Sequence, residues 1–171
     1  MFKTLISGAA ASGTALIAAG LLAASPAAAA TATGTLAVSA TVTANCTVST
    51  SALAFGNVDV TAGTNVDSTG GLSVTCTNGT AWAASAGVGT GTGATFANRK
   101  MANGSNLLNY NIYTTSARTT VWGDGTASTA TIGGTGSGSA QSVTVYGRVG
   151  SGQTSLPAGA YADTVAVTVT Y

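Results

Sequence analysis

Alternation governs this sequence. Near its C-terminus Tyr161, Val165, Val167, Val169 and Tyr171 share one parity, and Thr164, Ala166, Thr168 and Thr170 take the other. Side chains of an extended strand point to opposite faces in turn, so such a run buries one face and hydrates the other. The same period recurs at Leu36, Val38, Ala40 and Val42, with Thr35, Ser39, Thr41 and Thr43 opposing them. It returns at Leu72, Val74 and Cys76, and at Val143, Val145, Gly147 and Val149. Helical periodicity is almost absent. Further short strands are predicted over residues 53–60, with Gly56 as a bulge, and over residues 80–88, 107–113 and 119–122. Asn78-Gly79 is a two-residue hairpin signal. The Gly-rich stretches 87–95 and 133–139 read as loops, and Gly123-Asp124-Gly125 and Pro157-Ala158-Gly159 as turns. Seven or eight short strands separated by turns indicate an all-β sandwich.

The N-terminal region carries the pattern of an export signal. Lys3 precedes an apolar stretch, residues 5–22, and Ala23-Ala24-Ser25-Pro26-Ala27-Ala28-Ala29-Ala30 offers several small-residue cleavage sites. That order reads as a secretory signal peptide over residues 1–30, cleaved between Ala27 and Ala30. Residues 31–171 are then the size of one domain, and no linker divides them. Cys46 and Cys76 are the only cysteines. An even count in an exported protein reads as a disulfide.

Composition removes most chemistry. The chain has no histidine, and its four acidic residues, Asp59, Asp67, Asp124 and Asp163, are scattered aspartates. The commonest general base and every glutamate are missing. Two cysteines cannot make a tetrahedral zinc site, and no aspartate falls in a calcium-loop pattern. A serine nucleophile would have to take Lys100 as its base, since no other lysine follows the export signal. The reading is therefore no enzyme, no cofactor and no metal. Arg99, Lys100, Arg118 and Arg148 balance the four aspartates, so no electrostatic footprint points to nucleic acid. Tyr110, Tyr113 and Trp122, with Arg118 nearby, leave two readings open, a sugar-binding platform or packing within the sheets.

Two stretches resemble a known family. Leu108-Asn109-Tyr110-Asn111-Ile112-Tyr113, continuing through Ala117-Arg118-Thr119-Thr120-Val121-Trp122-Gly123-Asp124-Gly125-Thr126, is similar to the central signature of the spore coat protein U domain. Pro157-Ala158-Gly159-Ala160-Tyr161-Ala162-Asp163-Thr164-Val165, running to Tyr171, resembles that family's C-terminal strand, and Val145-Tyr146-Gly147-Arg148-Val149 fits between them. The resemblance implies a subunit of an archaic chaperone–usher pilus. It implies an incomplete immunoglobulin-like sandwich lacking its last strand, assembled by donor-strand exchange. The expected partners are a periplasmic chaperone that lends a strand, an outer-membrane usher, and other subunits in a homo- or heteropolymer. On this reading residues 31–43 are the donor segment, with Leu36, Val38, Ala40 and Val42 as its inserting row. Val165, Val167, Val169 and Tyr171 belong to the acceptor groove, and the final strand is expected to end at Tyr171 with its edge uncovered. The expected place is the cell surface, reached through the periplasm, and the expected role is adhesion and biofilm formation. The alternatives are a tip adhesin, or a secreted coat protein gripping a surface through aromatic and Gly-rich loops.

Overall fold

The computed structural model describes residues 27–171. Residues 1–26, which carry most of the export signal read from the sequence, lie outside them. Residues 27–39 and the body Ala40–Tyr171 are separate units. The first has no regular secondary structure and is exposed throughout, Leu36 to 88% and Val38 to 85%.

The body is an all-β, incomplete immunoglobulin-like sandwich. Its strands are β1 (Cys46–Ser51), β2 (Val66–Cys76), β3 (Ala81–Ala86), β4 (Arg99–Asn103), β5 (Asn106–Tyr113), β6 (Ile132–Thr135), β7 (Gln141–Val149) and β8 (Val167–Thr170). One sheet runs β1-β2-β7-β5-β4 and the other β6-β3-β8, with every pairing antiparallel. Period two decides what is buried. Leu72, Val74 and Cys76 of β2 point into the core beside Val145 and Val149 of β7, while Ser73 and Thr75 take the outer face. Ala84, Ala86 and Trp82 of β3 close the core from the second sheet. Full burial of a Leu or Val side chain contributes about 1.5–3 kcal/mol, so this parity specifies the register strongly.

Cys46 and Cys76 are directly paired residues of β1 and β2, joined by a disulfide. The bond fastens the edge strand β1, whose remaining residues are all exposed. Reduction, or Cys46→Ser with Cys76→Ser, should lower stability by about 3.5 kcal/mol for a loop of this length. Urea unfolding with and without reductant measures the difference.

Several local expectations change. Asn78-Gly79 does not close a hairpin: it carries the chain from β2 in one sheet to β3 in the other. The Thr80 amide donates to Thr77 O at 3.0 Å, and Gly79 has φ 80° while Asn78 keeps a negative φ. The favoured Asn-Gly hairpin turn needs positive φ at both residues, so this one turns a corner instead. Residues 53–60 form no strand, and Gly56 lies in an irregular run rather than a bulge. The chain leaves the sheet after Ser51 and tucks Leu53 and Phe55 inward over Gly147. A Cβ at Gly147 would lie 2.6 Å from Leu53 Cδ2 and 2.9 Å from Phe55 Cζ. Residues 119–122 make only isolated bridges, Tyr113 to Val121 and Trp122 to Ala130. The final regular strand is confined to Val167–Thr170. Strand β6 occupies part of the expected 133–139 loop, because Gly134 lies flat against the Trp82 ring where a Cβ would meet Cζ2 at 2.9 Å.

Candidate functional site

A long trough opens between two stretches of the body that belong to no regular sheet. Residues 52–60 form one wall, and residues 156–165, leading into β8, form the other. Met101, Leu108, Tyr110, Ile112, Trp122 and Val145 make the floor, and the cavity volume is about 1120 Å³. Leu53, Phe55, Val58 and Val60 turn inward from the first wall, and Tyr161, Val165 and Val167 from the second. β8 is the end strand of its sheet, so its outer edge has no ladder partner. Backbone N–H and C=O groups beside an apolar surface need partners, and an extended peptide supplies both ladder bonds and side chains for the floor.

Two buried polar clusters hold this geometry. Arg99 of β4 is 0% exposed, an unusual place for a guanidinium. Its Nε and Nη2 donate to Gly87 O at 2.9 and 2.7 Å, Nη2 also donates to Trp122 O at 2.7 Å, and Nη1 donates to Asn111 Oδ1 at 2.7 Å. Phe96 stacks 5.6 Å from it. Asn111 completes the set by donating from Nδ2 to Phe96 O and Ala97 O. Burial pushes the pKa of Arg99 down, and the carbonyl-type acceptors keep the cation satisfied. Trp122, whose Nε1 donates to Ala84 O at 2.9 Å, is thereby locked as floor. Within the run Leu108 to Tyr113, Asn111 thus receives Arg99, while Leu108, Tyr110 and Ile112 line the trough.

The second cluster fixes the β8 wall. Tyr110 donates from its hydroxyl to Asp163 Oδ2 at 2.7 Å, and Asp163 Oδ1 accepts from the Thr90 amide, the Thr90 hydroxyl and the Thr164 amide. Burial acts to raise the pKa of Asp163, but these donors outweigh it and hold the carboxyl below its ordinary value. Burial, with the adjacent carboxylate, pushes the Tyr110 phenol far up, so it stays protonated and donating. A group with a depressed folded pKa stabilises above its unfolded pKa, and loses that contribution as pH falls through the folded one. Tyr110→Phe should cost about 1.5–3 kcal/mol at neutral pH, with part of the difference from the native chain disappearing below about pH 4. Thermal unfolding of both chains across that range measures it.

The structure places the sequence-expected residues unevenly. Val165 and Val167 line the trough, whereas Val169 packs on the core outside its lining. Tyr171 is 57% exposed, with its hydroxyl 3.5 Å from Asn45 Oδ1. Leu36, Val38, Ala40 and Val42 are all exposed and in no strand. The aromatic platform is not formed: Tyr110 and Trp122 are buried, and Arg118 pairs with Asp67 at 3.3 Å and lies over Tyr146. Sequence reasoning missed Arg99 and the Asp163–Tyr110 pair. The signal for each was a polar residue inside a conspicuous run, Asn111 among apolar neighbours and Asp163 on the apolar parity of the last segment. Among the described residues, no three His, Cys, Asp or Glu side chains come together.

Comparison with known proteins adds to this geometry. Residues 32–168 match the Spore Coat Protein U domain family. Among solved structures, the chain is similar to one in the crystal structure of the CsuC-CsuE chaperone-tip adhesion subunit pre-assembly complex from archaic chaperone-usher Csu pili of Acinetobacter baumannii. The two share 22% identity with a TM-score of 0.54, over 77% of this chain and 40% of that one. The likeness shows a shared fold, and this chain spans less than half the length of its neighbour. None of the curated proteins compared matches the chain.

Proposed function

The chain belongs to the Spore Coat Protein U domain family, and on that premise we propose that it is a structural, non-catalytic subunit of a surface pilus built by chaperone and usher. The carrying observation is the trough: an apolar floor between two chain edges, with the outer edge of β8 unpaired. A strand from another polypeptide completes the sandwich there. In the periplasm a chaperone supplies it. At an outer-membrane usher the segment 31–43 of the next subunit replaces it, presenting Leu36, Val38, Ala40 and Val42. Export directed by residues 1–30 brings the subunit to the periplasm, and the assembled fibre serves adhesion and biofilm formation at the cell surface. The solved neighbour, itself a chaperone–subunit complex by its title, supports a chaperone as partner.

An exposed apolar edge is an aggregation hazard until covered. Expressed alone in a periplasm, the chain should therefore be degraded or aggregate, and co-expression with the right chaperone should yield a soluble one-to-one complex. A stable, soluble monomer that no such chaperone binds would contradict the proposal.

A further inference from the structure

We propose that the outer face of the five-stranded sheet binds an acidic polysaccharide, taking the carboxylate of a uronate sugar between Arg118 and Arg148 and resting the sugar ring on Tyr113. The site lies on the side of that sheet turned away from the trough, so it is independent of the strand-exchange reading.

Alternation builds this face. In β7, Val145, Gly147 and Val149 point into the core, so Tyr146 and Arg148 point outward. Residues directly opposite in an antiparallel pair share a face. Tyr146 stands opposite Tyr113 of β5 on one side and Thr69 of β2 on the other, and Arg148 stands opposite Asp67 of β2. Arg118 reaches the same face from the connection after β5. Its Cζ lies 5.7 Å from the centroid of the Tyr146 ring, and its Nη1 lies 3.3 Å from Asp67 Oδ2. Arg148 donates to the same carboxylate from Nε and Nη2 at 2.7 and 2.8 Å. Two guanidiniums thus flank one carboxylate, and the cluster keeps one cation in excess.

Arg118 does not depend on Asp67 for its position. Its Nε donates to Gly147 O at 3.1 Å and its Nη1 to Ser116 O at 3.0 Å. Its backbone is held at φ 53°, a left-handed conformation unfavourable for a residue with a Cβ. The result of that strain is a guanidinium fixed over Tyr146. Arg118 Nη2 and Arg148 Nη1 meet no acceptor among the described residues. Free N–H groups on fixed guanidiniums are suited to a carboxylate. A pyranose also presents an apolar C–H face and a rim of hydroxyls. The half-buried Tyr113 ring suits the first, and the exposed Thr69 and Thr144 suit the second. A single excess cation matches a sparsely charged sugar chain better than a phosphate backbone, which needs a row of cations. In a fibre the patch recurs at every subunit, and weak single contacts multiply along a polymer.

An oligogalacturonate and its methyl ester, which keeps the sugars and removes their charge, test this by titration calorimetry. The mature chain is used in the soluble form in which it is recovered, with any bound chaperone titrated alone as the blank. The acid form should bind and the ester should not. Arg148→Gln should weaken binding about tenfold, the loss expected for one hydrogen bond to a charged group. Asp67→Asn removes the competing carboxylate and should tighten binding several-fold, a gain that a misfolded chain cannot give. Asp59→Asn makes the same change of charge at the trough wall and should leave binding as it was. Equal gains from Asp59→Asn and Asp67→Asn would mean diffuse attraction and would overturn the site. Failure of the acid form to bind, or equal binding of acid and ester, would overturn the proposal. Equal binding of a single-stranded oligodeoxynucleotide would overturn the ligand class. None of these outcomes bears on strand exchange.

Discussion

Chains carrying Val38→Asp should fold, be captured by a chaperone and stop there, leaving no fibres. Val38 lies in an exposed segment and contributes nothing to the core, being 85% exposed, so the substitution leaves the receiving trough intact. Inserted, Leu36, Val38 and Val42 together stand to contribute about 5–9 kcal/mol before the cost of ordering the segment. An aspartate in the middle of that row loses one apolar contact and places an unpaired charge over the floor. A loss of about 4 kcal/mol corresponds to docking weakened roughly a thousandfold. Deleting residues 31–38 should give the same phenotype. Val167→Asp should differ, because Val167 lines the trough and packs on the core. That variant should lose chaperone binding as well as fibres. Co-purification with the chaperone, alongside electron microscopy of cell surfaces, separates the two classes. Normal fibres from the Val38→Asp chain would show the donor-strand assignment of residues 31–43 to be wrong.

Arg99→Met should be the most damaging single change in the body. The methionine fills most of the volume but removes the guanidinium donors to Gly87 O and Trp122 O, and leaves Asn111 Oδ1 with the Ile112 amide alone. Two carbonyl acceptors, Gly87 O and Trp122 O, lose their Arg99 donors together, and each stranded polar group costs about 1–3 kcal/mol. A total near 4 kcal/mol is a large fraction of the stability of a small domain. Arg99→Lys should recover only part of it, since an ammonium cannot span the separated acceptors that the planar fork reaches at once. Urea midpoints of the native, Met and Lys chains give the order. The Met variant should also release Trp122 from its fixed position, seen as a shift in tryptophan fluorescence toward the solvent-exposed value. A Met chain as stable as the native one would mean that the carbonyls find water instead.

The long alternating strands were legible in the sequence because one physical term dominates them. Leu72, Val74, Cys76, Val145 and Val149 sit inside for the reason their parity indicates. β4 was not legible: its inward-facing end residue is Arg99, which apolar periodicity counts as surface. β6 was hidden because Gly133 and Gly134 read as loop residues, yet Gly134 is needed flat against Trp82. Residues 53–60 erred the other way. Their apolar residues point inward, but as a wall of the trough, with no neighbouring strand to make them a ladder. The candidate site was half legible on the same grounds. Val165 and Val167 follow from alternation, while Asp163 breaks the apolar parity and only the side chain of Tyr110, distant in sequence, explains it.

The central claim is that the trough is completed by a strand from a neighbouring polypeptide, and backbone hydrogen exchange of the fibre against the chaperone-free monomer tests it most directly. In the monomer, amides in residues 36–42, and those facing the trough from residues 52–60 and 161–167, should exchange quickly, because no ladder holds them. In the fibre all three stretches should become protected together, while β2 and β7 change little. Fibres in which residues 36–42 and both trough edges still exchange as fast as in the monomer would contradict the account.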